Sequence, residues 1–336
     1  MNEDNHIIQL EGLRVAFKDR HSSATALREV SFTAKRGKTL ALVGESGSGK
    51  SVTSLALMGL LPTNAVVEAK KMDFLPVPGQ APLDLTRQDH KGMRALRGRH
   101  MAMIFQEPMS SLNPLYPIGD QIGEMLLLHE DLGADARKKR VIEMLELVEI
   151  PGAAQRYHAW PHELSGGMRQ RVMIALAMVC NPSLLIADEP TTALDVTIQA
   201  QILDLMRRLQ TELGMSILFI THDLGVVAEM ADDVAVMYAG QIVEQTTTAK
   251  LFGSPRHPYT QGLLASIPRH GRPRGQRLIP IPGSVPSPRD MPTGCSFAPR
   301  CQFAQGACKE GPIDLKEQAP GHLSRCILGT EVMVHA

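Results

Sequence analysis

The sequence predicts an α/β fold built on a largely parallel sheet with helices on both faces. Three observations lead there. Short, continuously apolar runs alternate with helix-period stretches from residue 7 to about 250, the pattern of strands buried on both sides. A glycine-rich turn joins one apolar run to a helical stretch at 39–61, as in strand–loop–helix phosphate sites. After residue 254 the periodicity fades, and twelve of the 23 prolines and four of the five cysteines fall there. A loop-rich C-terminal module therefore begins near Ser254.

In chain order, "IIQLEGLRVAF", "TLALVG", "MAMIFQ", "LLIADE", "SILFITH" and "VAVMYAGQIVE" read as strands. Helical periodicity falls at 50–61, 119–129, 135–149, 166–180, 196–213 and 224–231. The 336 residues suffice for one large domain with an appendage, or for two domains. Lys plus Arg equals Asp plus Glu at 35 each, so no global field recruits nucleic acid or anionic lipid. The basic runs at 137–140 and 269–277 read as solvated segments. The start "MNEDNHIIQL" carries acids where a secretory signal has cations, and no apolar stretch is long enough to span a bilayer. A cytosolic location is expected. The 18 methionines fall mostly within helical patterns such as "MRQRVMIALAM", where they fill core space.

"LALVGESGSGKS" sets an apolar strand before Gly44 and places Gly49, Lys50 and Ser51 at phosphate-loop spacing. The loop residues are Gly44, Glu45, Ser46, Gly47, Ser48, Gly49, Lys50, Ser51 and Val52. Their N–H groups are expected to cradle phosphates, with Lys50 neutralising charge and Ser51 binding Mg²⁺. "SLLIADEP" is an apolar strand ending in two carboxylates, with Asp188 the magnesium candidate and Glu189 the base that activates water. "SILFITH" delivers His222 to a strand end, where ligands bind in open α/β sheets. Gln106, after "MAMIF", is a polar side chain at another strand end, suited to the metal or the attacking water. Phe17 reads either as an adenine-stacking aromatic or as core. In "HELSGGMRQRVM", Ser165, Gly166 and Gly167 open a helix. Two glycines cost backbone entropy that a simple cap does not require, but they bare N–H groups to an anion.

Cys295, Cys301, Cys308 and Cys326 lie in a segment with little periodicity, so something should staple it. A cytosolic location argues against disulfides. Four thiolates suit an iron–sulfur cluster or zinc, and spacings of five, six and seventeen residues lack the close pairs of most zinc sites. A [4Fe–4S] cluster is the favoured expectation, with zinc and free thiols as alternatives. Cys180, on an apolar helical face, reads as core.

The phosphate loop, the Ser-Gly-Gly helix start and the carboxylate pair, in this order, resemble the ATP-binding cassette (ABC) family across residues 7 to about 250. The resemblance implies a P-loop NTPase fold with a RecA-like parallel core, an N-terminal antiparallel part, and a helical signature subdomain at about 107–180. In this family "LSGGM" covers the γ-phosphate held by a second cassette's loop. The resemblance makes Phe17 the adenine-stacking aromatic, Gln106 the Q-loop residue, Asp195 the D-loop aspartate and His222 the switch histidine. Met168 stands where many cassettes have Gln. "IFQEPMSSLNP", "ADEPTTALDVTIQAQIL", "HPYTQGLL" and "GCSFAPRC" look like the ATPase subunit of dipeptide and oligopeptide importers, a group with nickel and glutathione systems. The implied division is a cassette at 1–253 and the C-terminal module at 254–336. The implied partners are a second cassette subunit, a heterodimer ahead of a homodimer, with two membrane permeases and an extracytoplasmic binding protein. The implied location is peripheral, at the cytoplasmic face of the bacterial inner membrane. The competing classes are a soluble cassette ATPase on nucleic acid or ribosomes, disfavoured by the neutral charge, and a non-catalytic cassette, disfavoured by Glu189 and His222.

Overall fold

The computed structural model describes residues 5–19, 23–106, 111–192, 194–267, 280–288 and 290–328, so the basic run at 269–277 lies outside the described residues. In chain order the chain forms β1 (His6–Lys18), β2 (Ser23–Lys35), β3 (Thr39–Val43), α1 (Lys50–Leu57), β4 (Ala65–Glu68), β5 (Lys71–Phe74), β6 (Leu83–Asp84), α2 (His90–Leu96) and β7 (Met101–Ile104). Four helices follow: α3 (Ile118–His129), α4 (Ala134–Leu147), α5 (Ala153–Arg156) and α6 (Gly166–Met178). Then come β8 (Leu184–Asp188), α7 (Val196–Leu213), β9 (Ser216–Thr221), α8 (Leu224–Met230), β10 (Asp233–Tyr238) and β11 (Gln241–Thr247). The chain closes with α9 (Thr248–Gly253), α10 (Pro258–Ala265), β12 (Lys316–Ala319) and β13 (His322–Ser324). It divides into two compact units, one of residues 8–33, 39–73 and 220–336 and one of 1–7, 34–38 and 74–219.

The first of these units orders its strands β5-β1-β2-β11-β10-β3. β3 and β10 pair in parallel, from Asp233 opposite Leu40 to Val236 opposite Val43. All five residues of β3 are buried, as a two-face strand requires. "VAVMYAGQIVE", read as one strand, is a hairpin: β10 and β11 pair antiparallel, from Asp233 opposite Thr247 to Tyr238 opposite Gln241. β2 is absent from the apolar runs because it has none: its buried Leu27, Val30, Phe32 and Ala34 are separated by polar residues, and Arg28 and Glu29 together break the alternation. β13 adds to β11 antiparallel, with Glu244 opposite Ser324. The core joins both ends of this unit: Val43, Val236, Tyr238, Tyr259 and Phe297 form one cluster, with Cys295 and Cys301 packed against it. Tyr238 lies 4.7 Å from Tyr259 and 5.3 Å edge-on from Phe297, centroid to centroid.

A buried carboxylate fastens the C-terminal segment. Glu244 is fully buried and accepts the N–H groups of Arg256 at 2.7 Å and His257 at 2.9 Å. His322 Nε2 lies 2.6 Å from its Oε1. Such burial is tolerated because the carboxylate oxygens are taken up by these partners.

In the other unit the order is β9-β8-β7, and β7 pairs with β8 in parallel from Met101 opposite Leu184 to Ile104 opposite Ala187. The helix expected at 166–180 is α6, but it is not amphipathic: Gln170, Val172, Met173, Ile174, Ala175, Ala177 and Met178 are all buried, which covers it nearly all round. Between helices, Glu149 accepts from Arg171 Nη1 at 2.6 Å and Arg208 Nη1 at 2.7 Å, which holds its carboxyl below the usual range.

Candidate functional site

β3 runs straight into the glycine-rich loop, and α1 starts from it. Gly49 caps α1 with φ +104, and a Cβ there would sit 2.6 Å from Leu27 Cδ2, so only glycine fits. Gly47 has φ +77, and a Cβ there would meet nothing within 4 Å, so the loop opens onto free space. No side chain caps α1, and an uncapped helix start of this kind suits an anion. Lys50, largely buried, folds back on the loop: Nζ donates to the carbonyls of Gly44 at 2.8 Å and Glu45 at 3.1 Å. Those are weak holds for an ammonium, and a phosphate oxygen competes for them.

Two side chains that sequence reasoning missed also reach this loop. Tyr259 accepts the N–H of Glu45 at 2.9 Å. Arg300 grips the Glu45 carboxylate with both terminal nitrogens, at 2.7 and 3.1 Å. Both had been quoted in sequence motifs, but nothing local tells what a residue 255 positions away will touch.

In the same unit, His222 is exposed and follows the end of β9. It precedes Asp223, whose carboxylate accepts from Gly225 and Val226 to cap α8. Phe17 is half-buried on β1 opposite Ala65, so it is not part of the fully buried core.

The carboxylate pair ends β8. Asp188 is 4% exposed, and burying that charge favours a cation beside it. Glu189 sits at φ +48, a left-handed position costly for a residue with a side chain. Its Oε2 accepts from Gln106 Nε2 at 3.2 Å and from Thr192 Oγ1 at 3.0 Å. Gln106 and Glu189, two expected site residues, are thus brought together, and Thr192 is a partner the sequence did not reveal. A fourth missed residue is Gln170, fully buried on α6, whose Nε2 donates to the carbonyl of Pro190. It ties the Ser-Gly-Gly helix to the turn that bears Glu189.

At the start of α6, Ser165 is a cap in the ordinary sense, its Oγ accepting from the N–H of Met168 at 3.3 Å. The two glycines have different reasons. A Cβ on Gly167 would press on Ile198 Cγ2 at 3.3 Å, whereas one on Gly166 would meet nothing within 4 Å. Packing therefore explains Gly167, and only Gly166 leaves open space at the helix start. Asp195 caps α7, its Oδ1 accepting from Ile198 at 2.9 Å.

The iron–sulfur expectation does not hold. Cys295, Cys301, Cys308 and Cys326 line one apolar cavity with His257 and Phe297, but it encloses only about 10 Å³. Among the described residues no group of three or more His, Cys, Asp or Glu side chains is placed to hold a metal ion, zinc included. Burial pushes the thiols of Cys295 and Cys301 up and that of Cys326 up to about 11. All four are free cysteines, and the segment is stapled by Glu244 and the aromatic cluster instead. Cys180 is buried as expected, its thiol raised to about 11 by burial.

Residues 27–192 match the ABC transporter family, and residues 243–308 match the oligopeptide/dipeptide transporter C-terminal region. A putative peptide import ATP-binding protein of Brucella ovis is 52% identical over 97% of this chain and 98% of its own. The dipeptide transport ATP-binding protein DppD of Escherichia coli is 47% identical over 95% of this chain and 96% of its own. Among solved structures, cbiO1 of Clostridium perfringens, part of the ABC transporter complex cbiONQ, matches with TM-score 0.61 and 28% identity over 74% of this chain and 91% of that one. The post-hydrolysis dimer of the cassette MJ0796 with ADP and phosphate shares the fold, with TM-score 0.62 and 24% identity over 72% of this chain and 99% of that one. With the phosphate loop and carboxylate pair on a shared fold and relatives matching end to end, the chain belongs to the ABC transporter ATPases that carry the oligopeptide/dipeptide transporter C-terminal region.

Proposed function

We propose that this chain hydrolyses ATP to drive import of di- and oligopeptides through a membrane ABC importer. The observation that carries the reading is the C-terminal match at 243–308 in a chain that aligns over nearly its whole length with peptide-import ATPases. Partners of the stated kinds follow from that role: a second cassette, two permeases and an extracytoplasmic binding protein. So does a peripheral position at the cytoplasmic face of the membrane. Residues 1–253 form the cassette and 254–336 the C-terminal module.

The residue roles form a sequence of simple steps. Phe17 stacks on the adenine. The loop from Gly44 to Val52 takes the phosphates on its N–H groups, and Lys50 exchanges its carbonyl contacts for phosphate oxygens. The oxygens of Ser51, Asp188 and Gln106 are the hard donors that Mg²⁺ prefers. When bound, Mg²⁺ neutralises charge that develops on the transferred phosphoryl group. Glu189 takes the proton of the attacking water, while Gln106 and Thr192 keep its carboxylate turned to one side. His222 contacts the γ-phosphate or that water. Ser165, Gly166 and Gly167 of one cassette cover the nucleotide of the other, with Asp195 beside them, so hydrolysis reopens the pair and moves the permeases.

Uptake of a labelled dipeptide and tetrapeptide in cells lacking this gene tests the reading. The wild-type chain restores uptake, and Glu189→Gln does not. Restored nickel or glutathione uptake in place of peptide uptake would reassign the cargo.

A further inference from the structure

Every polar group of Glu45, the second residue of the phosphate loop, is taken. Its N–H goes to the Tyr259 hydroxyl at 2.9 Å. Its carbonyl accepts from Lys50 Nζ at 3.1 Å. Its carboxylate takes the two-pronged grip of Arg300 at 2.7 and 3.1 Å. The holders are themselves buried and held by further contacts. Tyr259 is fully buried. Arg300 is 8% exposed, its Nε donates to the carbonyl of Pro282 at 2.8 Å, and its guanidinium lies 5.7 Å from the Tyr238 ring centre and 5.9 Å from that of Phe297.

From this we infer that Arg300 and Tyr259 are positioning residues for the nucleotide: the C-terminal region holds Glu45, and through it the phosphate loop, in the geometry that binds ATP. The inference rests on the reading of the loop as the ATP phosphate site. Two physical effects act together. A loop fixed before binding loses less conformational entropy when the nucleotide arrives. A carboxylate beside a triphosphate repels it, and the fixed guanidinium cancels that charge at its source. Lysine in place of Arg300 keeps the charge but cannot form the planar two-pronged contact.

The test is equilibrium binding of a fluorescent ATP analogue to the full-length chain, with KM and kcat for ATP hydrolysis measured alongside. Arg300→Ala and Tyr259→Phe should each weaken nucleotide affinity, Arg300→Ala by about tenfold, and raise KM more than they lower kcat. Arg300→Lys should fall between Arg300→Ala and wild type. The diagnostic variant is Glu45→Gln in the Arg300→Ala background. A neutral amide needs no guanidinium, so the double variant should bind nucleotide more tightly than Arg300→Ala alone, whereas a general loss of packing would not be repaired. Tyr259→Phe removes a single hydroxyl and remains informative even where Arg300→Ala does not fold. Lys50→Ala separates the two layers of the argument. If Lys50→Ala weakens binding while Arg300→Lys and Tyr259→Phe match wild type, the positioning role is wrong and the loop assignment stands. If Lys50→Ala binds as wild type does, both are wrong.

Discussion

Glu189 Oε2 lies 3.2 Å from Gln106 Nε2 and 3.0 Å from Thr192 Oγ1, so the side chain proposed to activate water is oriented by two donors on one oxygen. Glu189→Gln preserves an acceptor oxygen for both partners and removes the basicity. Steady-state ATP turnover should fall at least about a hundredfold, the usual scale of a lost general base, while nucleotide affinity stays within about twofold. Retention of a tenth or more of wild-type turnover would remove Glu189 from the role.

In the role proposed for it, Lys50 exchanges its two carbonyl contacts for a phosphate, so its removal should be felt in binding before chemistry. Lys50→Ala should weaken ATP about ten- to a hundredfold, the range for a hydrogen bond to a charged group. Calorimetric titration reads it directly, and an unchanged Kd would rule out a phosphate contact.

Ser165→Arg places bulk at the open start of α6, next to Gly166, at the cost of about 1 kcal/mol for the lost cap. Nucleotide binding by the isolated chain should be unaffected. ATP-dependent association of two cassettes should be lost, with a more than tenfold drop in ATPase activity of the assembled transporter. Dimers of normal stability would show that the Ser-Gly-Gly start is only a helix cap.

His257 offers a stability test. Burial pushes its imidazole down to about 4, although Glu244 nearby acts in the other direction. The unfolded chain takes up a proton near pH 6.5 and the folded chain does not until about pH 4. Stability from the neutral ring is therefore fully present above pH 6.5 and is lost as the pH falls toward 4, the loss amounting to about 2 kcal/mol at pH 5. His257 also caps α10, its Nδ1 accepting from the N–H of Tyr259 at 3.1 Å, a task asparagine can share. Urea titrations at pH 7.5 and 5.0 should show a smaller acid loss in His257→Asn than in wild type. Equal losses would place the acid sensitivity elsewhere.

The parts of the candidate site that the sequence locates are those whose pattern is written locally. The loop from Gly44 to Ser51 and the pair Asp188–Glu189 each sit where an apolar run ends, and β3 and β8 end there. What could not be read was carried by contacts distant in sequence. Arg300 meets Glu45 across 255 positions, and Gln170 meets Pro190 through a polar side chain buried on a helix that is covered nearly all round. The four cysteines misled for the opposite reason. They do converge on one cavity, as their shared segment suggested, but that cavity is small and apolar, and among the described residues no group is placed to hold a metal ion.

The seam between β11 and β13 limits how this chain can be recombined. Glu244 on β11 is hydrogen-bonded to the N–H groups of Arg256 and His257 and lies against His322 on β13. A chimera joined after Gly253, with its tail from a sister subunit, would graft foreign partners onto this acid and a foreign neighbour onto Glu45. Cross-over points that keep residues 244, 257 and 322 from one parent, and 45, 259 and 300 from one parent, are the ones compatible with an intact ATPase.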